Sequence, residues 1–240
     1  MSLSTEELAS LESRTAEEIV LWAVEKFGNK VALSTSYGAE DMVLMDMVKK
    51  VAPSMRVFTL DTGRLPEETY RLMSLARTRY ALPVAVYFPD TSRVQEMVNT
   101  HGVNLFYDSV DSRKLCCQVR KVEPLGRAMN GLGAWVTGLR REQSTARAAV
   151  RKVEFDEGRP GVMKICPLAD WTEEVVWDYI KKWDVPYNEL HDKNYPSIGC
   201  APCTRAIQPG EDKRAGRWWW ESSSKECGLH EHAAKATAKP

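Results

Sequence analysis

Short apolar segments alternate with amphipathic helical segments through the first half of the chain, and this feature constrains the fold most. The apolar segments at 31–34, 55–63 and 83–89 are separated by helical patterns at 39–51 and 66–80. Because the apolar segments are nearly continuous, they are typical of parallel strands that are covered on both faces. The sequence therefore predicts an α/β fold in which helices flank a parallel sheet.

The rest of the chain continues this pattern up to about residue 184. The further predicted elements are two short N-terminal helices with capping-box spacing, strands at 133–139 and 162–168, a mainly helical segment at 108–129 and a helix at 172–183. Beyond them the periodicity ends, and the chain is rich in cysteines and cations. We expect one folded domain at 1–221 and a mobile C-terminal tail at 222–240.

Charge balance and hydropathy exclude several classes of protein. The chain has 33 basic and 33 acidic side chains, which argues against a protein that binds nucleic acid or membranes through bulk charge. No apolar run is long enough to span a membrane, and the acidic N-terminus does not resemble a secretory signal. We therefore expect a cytoplasmic protein, in whose reducing surroundings the six cysteines do not form a disulfide framework.

Polar and cationic residues follow three of the predicted strands. The segments concerned are LSTSYGAED at 33–41, LDTGR at 60–64 and TGLRREQSTAR at 137–147, and the last is expected to bring Arg140, Arg141 and Arg147 to the same edge of the sheet as the other two. Ligands of parallel sheets bind beyond the carboxyl ends of the strands, and a helix N-terminus and arginines both favour anions. The pattern predicts a nucleotide site of neither the Walker A nor the GxGxxG type. An ordinary capped turn and solvated surface arginines remain the alternative.

Four cysteines occur in two pairs. Cys116 and Cys117 are adjacent, and Cys200 and Cys203 form a C-x-x-C motif. Four thiolates can bind zinc or an iron–sulfur cluster, whereas buried thiols and a redox dithiol are the alternatives. Lys121 follows Cys117 by four residues, so a helix would place its charge close to the thiolates.

The two remaining cysteines differ in their surroundings. Cys166 lies in an apolar segment and is predicted to be a core residue. Cys227 lies in a polar segment near the chain end, with Lys225 and His230 close by. Neighbouring cations lower the pKa of a thiol and increase its nucleophilic thiolate fraction. Cys227 is therefore a candidate nucleophile, and a spare exposed cysteine is the alternative.

Several motifs, taken in order, resemble those of one enzyme family: STSYGAED, LDTGR, CCQVRKVEPL, WVTGLRREQS, GCAPCTR, EDKRAGRWWWE and KECGLH. Over about residues 16–232 the chain resembles the assimilatory adenylyl-sulfate reductase branch of the phosphoadenylyl-sulfate reductase family. The resemblance implies an adenine-nucleotide α-hydrolase-like fold. It also implies reduction of adenosine 5′-phosphosulfate (APS) to sulfite and AMP in sulfate assimilation and cysteine biosynthesis.

The resemblance also assigns a cofactor. In the APS-using branch the two cysteine pairs hold a 4Fe–4S cluster, whereas the branch that uses the 3′-phosphorylated substrate (PAPS) typically lacks both pairs. All four cysteines are present here, so APS is the expected substrate. The alternatives are a PAPS-preferring reductase, an ATP pyrophosphatase or sulfur transferase of the same fold, and a metal-binding module without enzymatic activity.

The resemblance finally assigns roles to single residues. Cys227 attacks the sulfate sulfur to form an S-sulfocysteine, assisted by Lys121 and His230. The predicted substrate-binding residues are Ser34, Ser36, Gly38, Thr62, Gly63, Gly138, Arg147, Arg214 and Arg217. No thioredoxin-like domain follows residue 232, so a separate thioredoxin- or glutaredoxin-type protein is the expected reductant. The sequence leaves a homo-oligomer open.

Overall fold

A six-stranded sheet forms the centre of residues 4–221, the part of the chain that this computed structural model describes. The strands are β1 (Val31–Thr35), β2 (Arg56–Leu60), β3 (Val84–Tyr87), β4 (Ala134–Val136), β5 (Val153–Phe155) and β6 (Met163–Ile165). Their order is β3-β2-β1-β4-β6-β5. The first four neighbouring pairs in this order are parallel, and β5 is antiparallel to β6.

The strand order reverses direction at the centre of the sheet. From β1 the chain first builds β2 and β3 on one side and only then crosses to β4 on the other side. Leu33 of β1 is in register with Val57 of β2 and with Val136 of β4. A ligand crevice is expected at such a switch point, beyond the carboxyl ends of β1 and β4.

Helices cover both faces of the sheet and are bounded as follows: α1 (Thr5–Leu11), α2 (Ala16–Phe27), α3 (Ala39–Val51), α4 (Glu67–Tyr80), α5 (Thr91–His101), α6 (Val110–Cys117), α7 (Glu123–Ala128) and α8 (Glu173–Trp183). Both N-terminal helices begin with the predicted capping boxes, in which Ser4 pairs with Glu7 and Thr15 with Glu18. None of the described helices is long and apolar enough to cross a membrane.

Alternate residues of β1 pack into two separate apolar cores. Val31 and Leu33 join the larger core with α2, α3, α4 and α8, whereas Ala32 faces the smaller core with Leu125 of α7 and Trp135 of β4. A strand that is buried on both faces needs apolar residues at every position, since successive side chains point to opposite sides. The predicted fold class is therefore confirmed.

Three local features differ from the predicted elements. α5 and β5 were not predicted, and the helical segment at 108–129 contains a π-helical turn at Gln118–Val122 between α6 and α7. α5 buries a single side chain, Met97, and β5 is a three-residue edge strand that forms only by pairing with β6. Such elements carry little hydrophobic periodicity, because few of their residues enter the core.

Candidate active site

A cavity of about 270 Å³, which we call the nucleotide cavity because it lies at the predicted nucleotide site, opens beyond the carboxyl ends of β1, β2 and β4. The predicted substrate-binding residues that line it are Ser34, Ser36, Gly38, Thr62, Gly138, Arg147, Arg214 and Arg217, together with Lys121. Residues from three strand ends and from the C-terminal segment therefore meet around one space. Its volume is close to the lower end of the range that is usual for small-ligand sites.

The turn after β1 is organised by a buried carboxylate. The backbone N–H and the hydroxyl of Ser36 both donate to Asp41 Oδ2, at 2.6 and 2.7 Å. Gly38 precedes α3 as its N-cap residue, so the positive end of the helix dipole lies at the cavity. Burial raises the pKa of Asp41 to about 6, although hydrogen bonds from Ser36 and the backbone of Gly138 oppose this.

The turn after β4 approaches α3 so closely that it requires glycine. A Cβ atom at Gly138 would lie 2.6 Å from Asp41 Oδ1 and 2.8 Å from the Cβ of Glu40. Such distances would force the two turns apart. Glycine therefore allows the ends of β1 and β4 to form one wall of the cavity.

The arginines after β4 do not share one environment, which corrects the prediction that all three reach the same edge of the sheet. Arg140 lines the cavity, but its Nε donates to Glu40 Oε1 at 2.9 Å. Arg141 does not line the cavity and instead binds Glu12 and the carbonyl of Val150. Arg147 lines the cavity. Arg141 begins a 3-10 turn at Arg141–Gln143, and its contacts with Glu12 and Val150 direct its side chain away from the cavity.

Gly63 also departs from its predicted position, because it does not line the nucleotide cavity. Its N–H donates to Asp61 Oδ1 at 2.8 Å, and its φ of +69° is readily adopted only by glycine. Thr62, beside it, does line the cavity, and its hydroxyl lies 3.2 Å from Cys200 Sγ. The turn after β2 thus connects the cavity with the cysteines, and Gly63 shapes that turn.

The four paired cysteines converge on a second, smaller cavity of about 20 Å³. Its walls contain Cys116, Cys117, Cys200 and Cys203, together with Arg64, Phe106, Arg113, Arg120, Lys121, Pro202 and Trp218. Lys121 lines both cavities. The fold therefore brings two pairs that are distant in sequence to one place, beside the nucleotide cavity.

The thiols of this four-cysteine cavity differ in their electrostatic environment. Burial raises the pKa of Cys116 and raises that of Cys203 to about 12. Burial also disfavours the Cys200 thiolate, but Lys121, a hydrogen bond from Thr62 and two arginines outweigh it and lower the pKa of Cys200. The surrounding cations thus favour negative charge at Cys200.

The donor set of the four-cysteine cavity suits a thiolate-bound cluster. Within residues 4–221, no three His, Cys, Asp or Glu side chains are grouped closely enough to hold a single metal ion. An iron–sulfur cluster is larger than one ion and takes its four thiolates at separate iron atoms. Four thiols with adjacent arginines and a lysine match that requirement in number, type and charge.

Other predicted residues fall elsewhere. Cys166 is fully buried in a small apolar cluster, as predicted, and burial raises the pKa of its thiol to about 12. Cys227, His230 and the rest of the predicted tail lie outside the described residues. Asp41 lines the cavity but is not among the predicted site residues, although an acid at the third position of a helix after a serine-rich turn is a carboxylate that could bind that turn.

Comparison with known proteins identifies the family. Residues 30–206 match the model of the phosphoadenosine phosphosulfate reductase domain. The chain belongs to this family. It is therefore an oxidoreductase, and the polar strand ends and both cysteine pairs lie within the matched residues.

Individual relatives match most of the chain. It is 50% identical over 230 residues to the adenosine 5′-phosphosulfate reductase of Allochromatium vinosum, covering 95% of this chain and 89% of that protein. It is 50% identical over 227 residues to the enzyme of that name from Burkholderia cepacia, covering 94% and 90%. The crystal structure of the phosphoadenylyl-sulfate reductase of Candida auris, a phosphate complex, superimposes with a TM-score of 0.73 at 31% identity, covering 86% and 99%.

Proposed function

We propose that this protein reduces APS to sulfite and AMP, using electrons from an external dithiol. The observation that carries the proposal is the position of Lys121, which lines both the nucleotide cavity and the four-cysteine cavity. The reductases of Allochromatium vinosum and Burkholderia cepacia share 50% sequence identity with this chain. Both are named for adenosine 5′-phosphosulfate, which supports the choice of APS.

The cavity's charges support an orientation for the substrate. Lys121, Arg214 and Arg217 would face the phosphosulfate group, with Arg147 at the β4 side. The adenosine would lie along the ends of β1, β2 and β4, near Ser34, Thr62 and Gly138. Arginine and lysine suit this group because phosphate and sulfate oxygens accept charge-assisted hydrogen bonds.

The proposed chemistry begins at Cys227. Its thiolate attacks the sulfate sulfur, a sulfur–sulfur bond forms, and the bond from that sulfur to the bridging oxygen breaks. AMP leaves with the electron pair of that bond. Cations near the phosphosulfate offset the repulsion between the thiolate and the anionic substrate and stabilise the leaving phosphate.

A dithiol reductant of the thioredoxin or glutaredoxin type would complete the reaction. One of its thiolates attacks Cys227 Sγ and displaces sulfite, and its second thiol then releases Cys227 while a disulfide forms in the reductant. The two electrons that reduce the sulfonate sulfur to sulfite thus come from the dithiol. We propose that this reaction serves sulfate assimilation in the cytoplasm.

We further propose that Cys116, Cys117, Cys200 and Cys203 hold a 4Fe–4S cluster. When bound, the cluster would supply a fixed charge distribution beside the phosphosulfate rather than electrons for the reaction. The chain's own contribution is to place Lys121 between the two cavities and to surround the thiolates with Arg64, Arg113 and Arg120.

The intact mass of the protein tests this function. After anaerobic incubation with APS and without reductant, we expect the wild type to gain the mass of one sulfonate group, and we expect reduced thioredoxin to remove it. Cys227→Ser should gain nothing while keeping its iron and its affinity for AMP. Cys166→Ala, which removes a buried thiol that lines neither cavity, should behave like the wild type.

Two results would contradict the proposal. A sulfonate on Cys227→Ser would place the nucleophile elsewhere, and no adduct on the wild type despite bound nucleotide would exclude the reaction class. The same measurement with PAPS decides between the two nucleotide substrates, and faster adduct formation with PAPS would favour the alternative represented by the Candida auris enzyme.

A further inference from the structure

A buried ion pair fastens the end of the described chain to the cysteine helix. Arg113 Nε and Nη2 donate to Glu221 Oε1 and Oε2, each at 2.9 Å. The two side chains are only 3% and 2% exposed. This bidentate geometry fixes direction as well as distance, because both guanidinium donors must align with both carboxylate oxygens.

One end of the pair belongs to the four-cysteine cavity. Arg113 lies on α6 one turn before Cys116, and its side chain lines that cavity. The other member, Glu221, follows the second cysteine pair in sequence. After Cys203 the chain comes back to the four-cysteine cavity, which Trp218 lines. Trp218 N–H donates to the carbonyl of Cys203 at 3.3 Å, and Glu221 N–H donates to the carbonyl of Trp218 at 2.9 Å.

The same segment reaches the nucleotide cavity. The Trp218 ring is in contact with two guanidinium groups, that of Arg113 at 4.8 Å and that of Arg217 at 4.7 Å from its centre. Arg217 lines the nucleotide cavity. Trp218 is 1% exposed and has a φ of +42°, a conformation that a tryptophan adopts only when its surroundings hold it there. The segment from Arg217 to Glu221 is therefore held at both ends.

We propose that Arg113 and Glu221 form a positioning pair for the reaction. The pair holds the chain at a fixed point and in a fixed direction six residues before Cys227. A nucleophile that is delivered from a directed starting point samples productive positions more often than one on a longer, free tether. A buried ion pair with this role need not stabilise the fold relative to apolar residues. The inference rests on the proposed function, since it assigns the attack to Cys227.

The rate of the first chemical step tests the proposal. We would measure the rate at which sulfonate appears on Cys227 in a single turnover with saturating APS, for the wild type and for Glu221→Gln. We expect the rate to fall by about tenfold or more, since small errors of placement cost large factors in rate. The dissociation constant for AMP should change by less than about twofold, and the iron content should stay equal.

Glu211→Gln is the matched control. Glu211 accepts a bidentate pair from Arg205, at 2.8 Å for both contacts, in the same C-terminal segment but at a partly exposed site. Its substitution should leave the rate of sulfonate formation unchanged. A rate loss of equal size in both variants would mean that general loosening of the segment is responsible, and it would overturn the proposal.

A second variant replaces both members of the pair. Arg113→Gln/Glu221→Gln leaves no unpaired buried charge, so it keeps the test valid if Glu221→Gln fails to fold. We expect sulfonate formation to be slow in the double variant as well, because two amide side chains cannot form the two parallel hydrogen bonds of the guanidinium–carboxylate pair. If the last fixed residue before Cys227 were Trp218 instead of Glu221, loop-closure entropy alone would lower the rate of sulfonate formation by about twofold or less. That result in a folded variant would overturn the inference and leave the proposed function standing. A wild type that forms no adduct would overturn both.

Discussion

At the scale of single residues, Asp41 connects the two turns that form the nucleotide cavity. Its carboxylate accepts from Ser36 and from the backbone of Gly138, and the close approach of Gly138 leaves no room for a side chain between the turns. A buried carboxylate of this kind is costly when it is ionised and unpaired by a cation. The residue therefore makes the site sensitive to pH.

Asp41→Asn should remove a pH-dependent part of the stability. Burial raises the pKa of Asp41 from 3.8 to about 6, so the folded protein holds this proton more tightly than the unfolded chain. The stabilisation by protonated Asp41 is fully present below about pH 4 and is lost as the pH rises through about 6. The free energy of unfolding falls by about 3 kcal/mol over this range. Asparagine cannot ionise.

Urea denaturation of the wild type and of Asp41→Asn between about pH 4 and pH 8 measures this effect. The difference in the free energy of unfolding, wild type minus variant, should decrease across that interval because all other titrating groups cancel. A difference that is constant with pH would show that Asp41 titrates at its ordinary value in the folded protein.

At the scale of elements, the π-helical turn at Gln118–Val122 lies where the cysteine helix meets the nucleotide cavity. The turn begins directly after the cysteines that end α6, and it contains Lys121. A π-helical turn spreads its residues over a wider turn than an α-helix does, and such turns occur frequently at functional sites. The side chain of Lys121, within this turn, lines both cavities.

Lys121→Ala should weaken catalysis without loss of iron. A charge-assisted hydrogen bond to the phosphosulfate contributes about 1.5–3 kcal/mol, so kcat/KM for APS should fall by about 10- to 100-fold. Iron content and the absorption of the proposed cluster should stay close to wild type, because Lys121 is not among its proposed ligands. Lys114→Ala, an exposed position on α6, is the control. Equal kinetics for both variants would mean that Lys121 is only a charge on the helix surface with no role in catalysis.

At the scale of the whole molecule, the N-terminal helices brace the loop that leaves the sheet after β4. Glu12 follows α1, and its carboxylate accepts from Arg141 Nη2 at 2.7 Å and from the backbone N–H of Lys152 at 2.8 Å. Lys152 in turn donates to the carbonyl of Arg14 at 2.6 Å. One carboxylate thus joins the segment after α1 to two points of the connection between β4 and β5, and Arg141 does not line the nucleotide cavity.

Glu12→Ala should therefore lower stability while leaving the site intact. Loss of a charge-assisted bond at a partly exposed position is expected to reduce the free energy of unfolding by about 1–2 kcal/mol. The affinity for AMP should not change, because Arg141 faces away from the cavity. Thermal unfolding and calorimetry with AMP measure the two properties, and Glu6→Ala on the exposed side of α1 is the control. A weaker affinity for AMP in Glu12→Ala alone would contradict this separation.

Much of the architecture follows from local sequence patterns. The strands β1 to β3, the helix α3 and the capping boxes at Ser4 and Thr15 agree with the predicted elements. Each depends on periodicity or on hydrogen bonds between residues a few positions apart, and such signals survive in the sequence alone. The meeting of polar strand ends at one edge also follows, since parallel strands share their direction.

Tertiary structure decided which side chains reach which space. Sequence did not distinguish Arg141, which turns to Glu12, from Arg147, which lines the cavity. Nor did it show that Lys121 lies between two cavities, that Asp41 joins two turns, or that Arg113 fastens Glu221. These placements depend on partners more than 90 positions away in some cases, and β5 forms only because β6 offers it a free edge. Local sequence determined the elements and the kinds of chemistry along the chain, whereas packing between distant segments determined the geometry in which that chemistry is combined.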